Sequence, residues 1–269
     1  MFLPSLHRAF DNNNTFTGAT AAASCTMINL ATMLLLSMLM MLPSVSTSFA
    51  QKKCVVKICH NKDCTKKGGG AELLNTFRDL IPSDNNQLNI ESTGCLSQCG
   101  KGPNVCVVKN GNDEKMYYNI KDALDASAVL DVATPEAEYP IELLVAASTI
   151  HQAEHTSSSP SKKEELMSTV ITDLSKNSNP ALITSFAMFH ALTIRANARL
   201  DTNNVDGAIE DAKLASKIFP SEGKVWRILA TAEEQRGSMD SAIVALRELA
   251  KADPSFATKA KKEIERLSS

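Results

Sequence analysis

The sequence has no surplus of charge of either sign, and this excludes the partners that depend on one. Its 28 Lys and Arg residues and 30 Asp and Glu residues leave a formal net charge of −2. Nucleic acids and anionic lipid surfaces are usually bound through a clear basic excess, so nucleic acid is excluded as a partner. With 43% hydrophobic and 22% charged residues, the chain has the composition of a folded globular protein rather than a disordered one.

Familiar catalytic patterns are absent as well. No Ser-His-Asp arrangement, no pair of carboxylates and no glycine-rich phosphate loop stands out in the sequence. No pair of cysteines separated by two residues follows the first predicted strand, which argues against a thiol oxidoreductase. The sequence therefore assigns no catalytic residue and favours a binding or carrier protein over an enzyme.

One long apolar run, MINLATMLLLSMLMML at residues 27–42, precedes the small-residue stretch PSVSTSFA. It is short for a bilayer span and contains Asn29, Thr32 and Ser37. We therefore predict that residues 1–50 are a cleaved targeting presequence and that no stable membrane insertion remains after cleavage. An uncleaved membrane anchor is the alternative.

The segment STSFA at residues 46–50 resembles the bipartite plastid presequences of algae with secondary plastids, in which a phenylalanine follows the signal cleavage point. That resemblance implies import into a plastid, with the mitochondrion or the secretory pathway as alternatives. The destination matters because a plastid is reducing, whereas the secretory pathway permits disulfides.

Residues 51–132 show the pattern of a small α+β domain. Two strand segments, KCVVKI and QLNIES, flank a helical segment that begins at Ala71. The strand segments NVCVVK and KMYYNI are joined by a turn at Asn110 and Gly111, and a helix closes the unit near Val132. The predicted order is therefore β-α-β, a loop, and then β-β-α.

Two pairs of cysteines follow the first two predicted strands. Cys59 and Cys64 have four residues between them, and Cys95 and Cys99 have three. Both pairs leave the same ends of strands that can be neighbours in one sheet. The spacing therefore predicts four thiolates that converge on one point, where they can hold a metal centre.

Residues 53–131 resemble the thioredoxin-like [2Fe-2S] ferredoxins, a family that includes the small iron-sulfur subunit of the flavoprotein arm of respiratory complex I. The family's two cysteine pairs fall on Cys59 with Cys64 and on Cys95 with Cys99, and GGGAELL and GP flank them as in the family. The resemblance implies a [2Fe-2S] cluster as cofactor, held by these four cysteines, and one-electron transfer as the activity.

Three other uses of the cysteines stay open at this stage. A structural zinc site also takes four cysteines, although its pairs more often have two residues between them. Six cysteines after the presequence also permit three disulfides, or the chain can be a thiol oxidoreductase. We interpret Cys54 and Cys106 as small buried hydrophobic residues, and His60 as a solvated neighbour of Cys59 rather than a replacement ligand.

The rest of the chain reads as helical. Residues 133–162 are predicted to form a connecting helix and a Ser-rich linker, and residues 163–269 a helical domain. Similar segments begin at Val205 and Met239, 34 residues apart, and both end in a proline followed by serine. This resembles the tetratricopeptide repeat, a helix-turn-helix unit of that period, and implies an all-α domain that binds another protein.

By the geometry of that repeat family, a binding groove would be lined by Asn197, Lys224, Arg227 and Thr231. Their basic and amide groups favour an acidic or carboxylate-bearing segment as the ligand. The sequence thus predicts a [2Fe-2S] electron-transfer module tethered to a tetratricopeptide-like domain that binds a protein, with redox proteins among the candidate partners. An organellar assembly or scaffold protein, in which the cluster is structural or lost, is the alternative.

Overall fold

A four-stranded mixed sheet is built from the first half of the described chain. The computed structural model describes residues 54–155 and 159–268, so the predicted presequence lies outside the described residues. The strands are β1 (Cys54–Cys59), β2 (Leu88–Thr93), β3 (Asn104–Lys109) and β4 (Asp113–Tyr118), in the spatial order β2-β1-β3-β4. β1 pairs with β2 in parallel, and the other neighbours are antiparallel.

Short helices connect and cover these strands. They are α1 (Lys62–Thr65), α2 (Ala71–Asp79) and α3 (Ala123–Ala133). The parallel pairing of β1 with β2 requires a crossover, which α2 provides. Asn110 and Gly111 both have positive φ in the three-residue loop between Lys109 and Asp113, so the predicted turn between β3 and β4 is confirmed.

The core of this part lies between the sheet and α2 and α3. Val56, Ile58 and Phe77 are fully buried there, and Leu130 packs in from α3. β3 is buried along almost its whole length, whereas β2 and β4 are edge strands and more exposed. The predicted order β-α-β, loop, β-β-α is therefore confirmed.

The remaining described residues form a run of helices with its own hydrophobic cluster. The helices are α4 (Ile141–His155), α5 (Pro160–Lys176), α6 (Pro180–Ile183), α7 (Phe186–Asp201), α8 (Val205–Ile218), α9 (Gly223–Gln235), α10 (Met239–Ala252) and α11 (Ala257–Ser268). An α+β part followed by a helical part is thus the architecture of the chain.

The two repeated segments fall on equivalent elements. The segment from Val205 forms α8 and the segment from Met239 forms α10, and each follows an antiparallel partner helix, α7 or α9. Both helices end two residues before the proline, at Pro220 and Pro254, because a proline cannot continue the helix. Ala208 and Ala242 are fully buried, which lets the paired helices approach closely.

Polar contacts join the sheet part to the helices. Asp79 at the end of α2 and His190 in α7 are both about 2% exposed, with Asp79 Oδ2 2.9 Å from His190 Nδ1. Arg78 pairs with Glu222 at 2.5 Å and its guanidinium lies 3.7 Å from the centre of the Phe186 ring. The end of α2 is therefore anchored to the helical part by charge as well as by packing.

Candidate functional site

The four predicted ligand cysteines lie at one edge of the sheet. Cys59 is the last residue of β1, and Cys95 follows the end of β2 by two residues. Because β1 and β2 are parallel neighbours, with Cys59 opposite Thr93, both loops leave the sheet at the same edge. The sequence-based prediction that the two strands are neighbours, with both cysteine pairs after them, is confirmed.

The first pair is buried and is positioned by a capped turn. Asn61 caps α1 by accepting a hydrogen bond at Oδ1 from the Asp63 amide at 3.2 Å, and this turn places Cys64. Cys59 is 1% exposed and Cys64 fully buried, and their sulfurs interact. The Gly69 amide donates to the Cys64 carbonyl at 2.9 Å and fixes the glycine loop that follows.

The second pair lies at the surface. Cys95 Sγ and Cys99 Sγ are 3.5 Å apart, and the Ser97 amide donates to Cys95 Sγ at 3.3 Å. Ser97 has a φ of 61°, which bends the loop so that the two sulfurs meet. Cys95 is exposed and Cys99 partly buried, so this pair is the one that faces solvent.

Direct contacts tie the two loops together. Lys67 Nζ, after the first pair, donates to the carbonyls of Cys99 and Gly100 at 3.4 and 3.2 Å. The Leu96 amide, beside Cys95, donates to the Cys59 sulfur, and the charge of Cys59 acts on Cys99 as that of Cys99 acts on Cys64. The structure therefore brings all four predicted residues into one neighbourhood.

The thiols of the first pair have opposite pKa shifts. Burial raises the pKa of the Cys64 thiol, and its hydrogen bond with Cys59 adds to this, so that the pKa reaches about 11. Burial also opposes ionisation of Cys59, but the backbone amides of Asn61 and Leu96 and the Cys64 thiol donate to its sulfur and lower its pKa. Amides that donate to a sulfur in this way stabilise its thiolate form.

The sulfurs are arranged as two pairs rather than as a single tight quartet. Among the residues that the structure describes, no three cysteine sulfurs lie within 4.8 Å of one another. A tetrahedral zinc ion with zinc–sulfur distances of about 2.3 Å needs four sulfurs about 3.8 Å apart. The described sulfurs do not have that spacing.

The other cysteines and His60 lie where the sequence indicated. Cys54 and Cys106 are 5% and 3% exposed in the sheet, and burial raises the pKa of both thiols. His60 is exposed beside Cys59. All six cysteines of the described chain are free thiols.

Three of the four residues predicted to line a groove lie beside adjoining pockets on α9, and the fourth is on α7. Lys224 and Arg227 line one pocket, and burial lowers the pKa of Lys224 although the charges of Glu154 and Asp79 oppose this. Arg227 and Thr231 line a pocket of about 220 Å³ that α11 closes from the other side. Asn197 is exposed and donates to the Thr193 carbonyl at 3.0 Å.

The sequence analysis did not identify one group of side chains that could hold a metal ion. Glu72 in α2 and His151 and His155 in α4 each place a ligand atom within 4.8 Å of the other two. Histidines four residues apart on a helix share a face, and this spacing was the available signal. The glutamate comes from a distant segment, which only the fold reveals.

Comparisons with protein-family models, with curated proteins and with solved structures find no match to this chain. None of the helices within residues 54–155 and 159–268 combines the length and the apolar composition needed to cross a bilayer.

Gly102 supplies a matched test of how tightly the cysteine loops pack. A Cβ on Gly102 would lie 2.7 Å from Cys64 Sγ, whereas a Cβ on Gly100 would meet nothing within 4 Å. Gly102→Ala must displace the Cys64 sulfur or the loop, so we expect it to lower the free energy of unfolding by about 1–3 kcal/mol. Gly100→Ala should leave the free energy of unfolding unchanged. Equal stability of the two variants in denaturant unfolding would contradict the packing described.

Proposed function

We propose that the chain is a one-electron carrier that holds a [2Fe-2S] cluster through Cys59, Cys64, Cys95 and Cys99. The observation that carries the proposal is the arrangement of the four thiols as two pairs, one buried and one at the surface, at the shared edge of two parallel strands. Ligation by four cysteines is the usual arrangement for such a cluster, with two cysteines on each iron.

The residues around the cysteines fit a negatively charged sulfur centre. Backbone amides donate to Cys59 and to Cys95, and the Asn104 amide donates to Cys64. Gly102 leaves the Cys64 sulfur room that any larger residue would occupy. Hydrogen bonds to cluster sulfurs and the exclusion of solvent are the means by which a protein sets the potential of an iron-sulfur centre.

The sheet topology supports the proposed relationship to the thioredoxin-like fold. The order β2-β1-β3-β4, with β1 parallel to β2 and the others antiparallel, fits that fold, as do α2 as the crossover and α3 after the hairpin. We likewise propose that the pairs α7–α8 and α9–α10 are tetratricopeptide-like units. Their 34-residue offset and the prolines at equivalent ends support this.

The bound cluster would accept and release one electron, and the chain's own residues determine where a partner can approach. Cys95 is exposed, whereas Cys59 and Cys64 are buried, so a partner approaches on the Cys95 side. Lys67, Lys101 and Lys121 line a pocket beside these loops, next to Gly102. This local positive charge favours an acidic partner, even though the whole chain is weakly acidic.

Reversible reduction distinguishes an electron carrier from a scaffold. Anaerobic protein should be reduced by one electron per chain and reoxidised with full recovery of its visible spectrum over repeated cycles. A carrier requires this, because each transfer must leave the ligand set intact. A scaffold in which the cluster is only structural would lose iron on reduction, or would not be reduced at accessible potentials, and either result would reject the proposed function.

The lysines beside the cysteine loops should control the rate of electron exchange with charged reagents. Replacing Lys101 and Lys121 by Glu reverses the local field, so oxidation of the reduced protein by anionic ferricyanide should slow about tenfold or more at low salt. Oxidation by a cationic cobalt complex should become faster. Stopped-flow absorption measures both rates.

A control with the same change in net charge is Lys217→Glu with Lys261→Glu, since both lysines are exposed on helices α8 and α11. This variant should change either rate less than twofold. Equal effects of the two double variants would show that only the total charge matters and that no local docking field exists.

A further inference from the structure

We infer that Glu72, His151 and His155 form a second metal site, which takes a divalent ion of the zinc class. His151 and His155 lie four residues apart on α4, and their ring centres are 4.1 Å apart. Glu72 reaches them from the first turn of α2, and its Oε1 contacts His155 Nε2. One ligand atom from each residue lies within 4.8 Å of the other two.

The donor atoms select the kind of ion. Two imidazole nitrogens and one carboxylate oxygen suit zinc and its neighbours among the transition metals, whereas magnesium and calcium prefer oxygen ligands alone. Zinc–ligand distances of about 2.0–2.1 Å bring tetrahedral ligands to about 3.3 Å from one another, so only small side-chain movements are needed. Three protein ligands leave a fourth position for water.

Solvent can reach this position. The side chains of Glu72 and His155 are 32% and 42% exposed, and His151 is partly exposed. The residue after the first histidine is Gln152, whereas metalloproteases with histidines at this spacing have a glutamate there as general base. These residues can therefore bind a metal ion, but they lack the general base that peptide hydrolysis needs.

The site lies between the beginning of α2 and the first helix of the helical part, α4. Glu72 stands near the start of α2, directly after the glycine loop that follows Cys64, and both histidines belong to the first helix of the helical part. The other end of α2 is anchored to the helical part by Asp79 and His190. A bound ion would anchor the beginning of the same helix, so that both ends of α2 are held.

Without a metal ion, the same three side chains make a ring contact between His151 and His155 and a surface contact between His155 and Glu72, which is an ion pair when the imidazole is protonated. Such exposed pairs contribute little to stability, and residues that form only such a pair would not bind one divalent ion more tightly than another. Measured metal affinity therefore separates a metal site from a simple ion pair.

The test is a titration of the chelator-treated full chain with zinc, followed by calorimetry. We expect one step of the titration to take one equivalent of zinc, and Glu72→Gln or His155→Gln to weaken that step at least 100-fold while leaving any binding by the cysteines unchanged. His155→Cys supplies another zinc ligand at the same position and should restore binding. Glu91→Gln, on the exposed edge strand β2, is the matched control and should have no effect. If wild type and Glu72→Gln bind zinc equally, the inference is wrong.

Binding of cobalt(II) distinguishes this site from the cysteines, and the result does not depend on whether the cysteines hold a [2Fe-2S] cluster. Cobalt on thiolates gives strong sulfur-to-metal charge-transfer absorption, whereas cobalt on two histidines and a glutamate gives only weak visible bands. We expect one equivalent of cobalt to give weak bands that His155→Gln removes. Charge-transfer absorption alone, with no band that His155→Gln removes at any ratio of cobalt to chain, would assign all of the metal to the cysteines and overturn the inference.

Discussion

Cys59→Ser should abolish or severely reduce the iron and sulfide content of the purified protein and bleach its visible colour. The side chain is 1% exposed and its sulfur accepts hydrogen bonds from the amides of Asn61 and Leu96, so no other group can take its place. A serine oxygen is a much weaker ligand for iron than a thiolate. The measurements are absorption spectroscopy and iron and sulfide assays on anaerobically purified protein.

Cys106→Ala is the matched control, since Cys106 is equally buried but lies in β3, away from the loop pairs. It should keep its full iron content while losing a little stability through the deleted sulfur atom. Loss of iron in both variants would trace the effect to folding rather than to ligation. Retention of two irons by Cys59→Ser would remove Cys59 from the ligand set.

His190→Leu should destabilise the folded chain by about 3–5 kcal/mol, because it leaves the buried Asp79 carboxylate without its partner. Replacing both residues, as Asp79→Leu with His190→Leu, removes the unpaired charge and should recover most of that loss. Denaturant unfolding of the two single variants, the double variant and the wild type measures the coupling. If the two single losses simply add in the double variant, the pair does not stabilise the junction.

The same pair predicts how stability depends on pH. Burial opposes protonation of His190, but attraction to Asp79 and contact with Glu154 outweigh it and raise its pKa from 6.5 to about 9. A raised pKa in the folded state gives stability that is complete below pH 6.5 and is lost as pH rises through 9. That difference amounts to about 3 kcal/mol. Burial also raises the pKa of the Asp79 carboxyl above its ordinary value of 3.8. The contribution of Asp79 to stability therefore also falls as pH rises.

His190→Leu should therefore flatten the fall in unfolding free energy between pH 6.5 and 9 that the wild type shows. The control for this profile is His60→Gln, which removes an exposed histidine that is not among the proposed metal ligands. An unchanged pH profile in His190→Leu would mean that another group accounts for the loss of stability at alkaline pH.

The secondary-structure elements could be predicted from the sequence, but the contacts between them could not. Alternating and helical periodicities located the strands and most helices, because burial on one face imposes a period on the residues themselves. Residues 181–199 have the pattern of one continuous helix, but the structure divides them between α6 and α7, since Ser185 caps a new helix by accepting a hydrogen bond from the Met188 amide at 3.3 Å. That capping serine is a signal which the apolar run around it obscured.

The candidate site could likewise be predicted only in part from the sequence. The cysteine spacing after two strands was enough to predict that both pairs meet at one sheet edge, since parallel neighbours end together. The contact between Glu72 and His155, and that between Asp79 and His190, join residues far apart in the sequence. No local pattern encodes such pairs, because they depend on how α2 packs against the helical part.

The stoichiometry of metal and sulfide in the wild-type chain tests the central claim most directly. Anaerobically purified protein should contain two irons and two acid-labile sulfides per chain, and should show visible absorption that bleaches in part on reduction by one electron. Iron and sulfide at that ratio would require a cluster of the proposed type. A colourless protein with one zinc on its cysteines and no labile sulfide would contradict it.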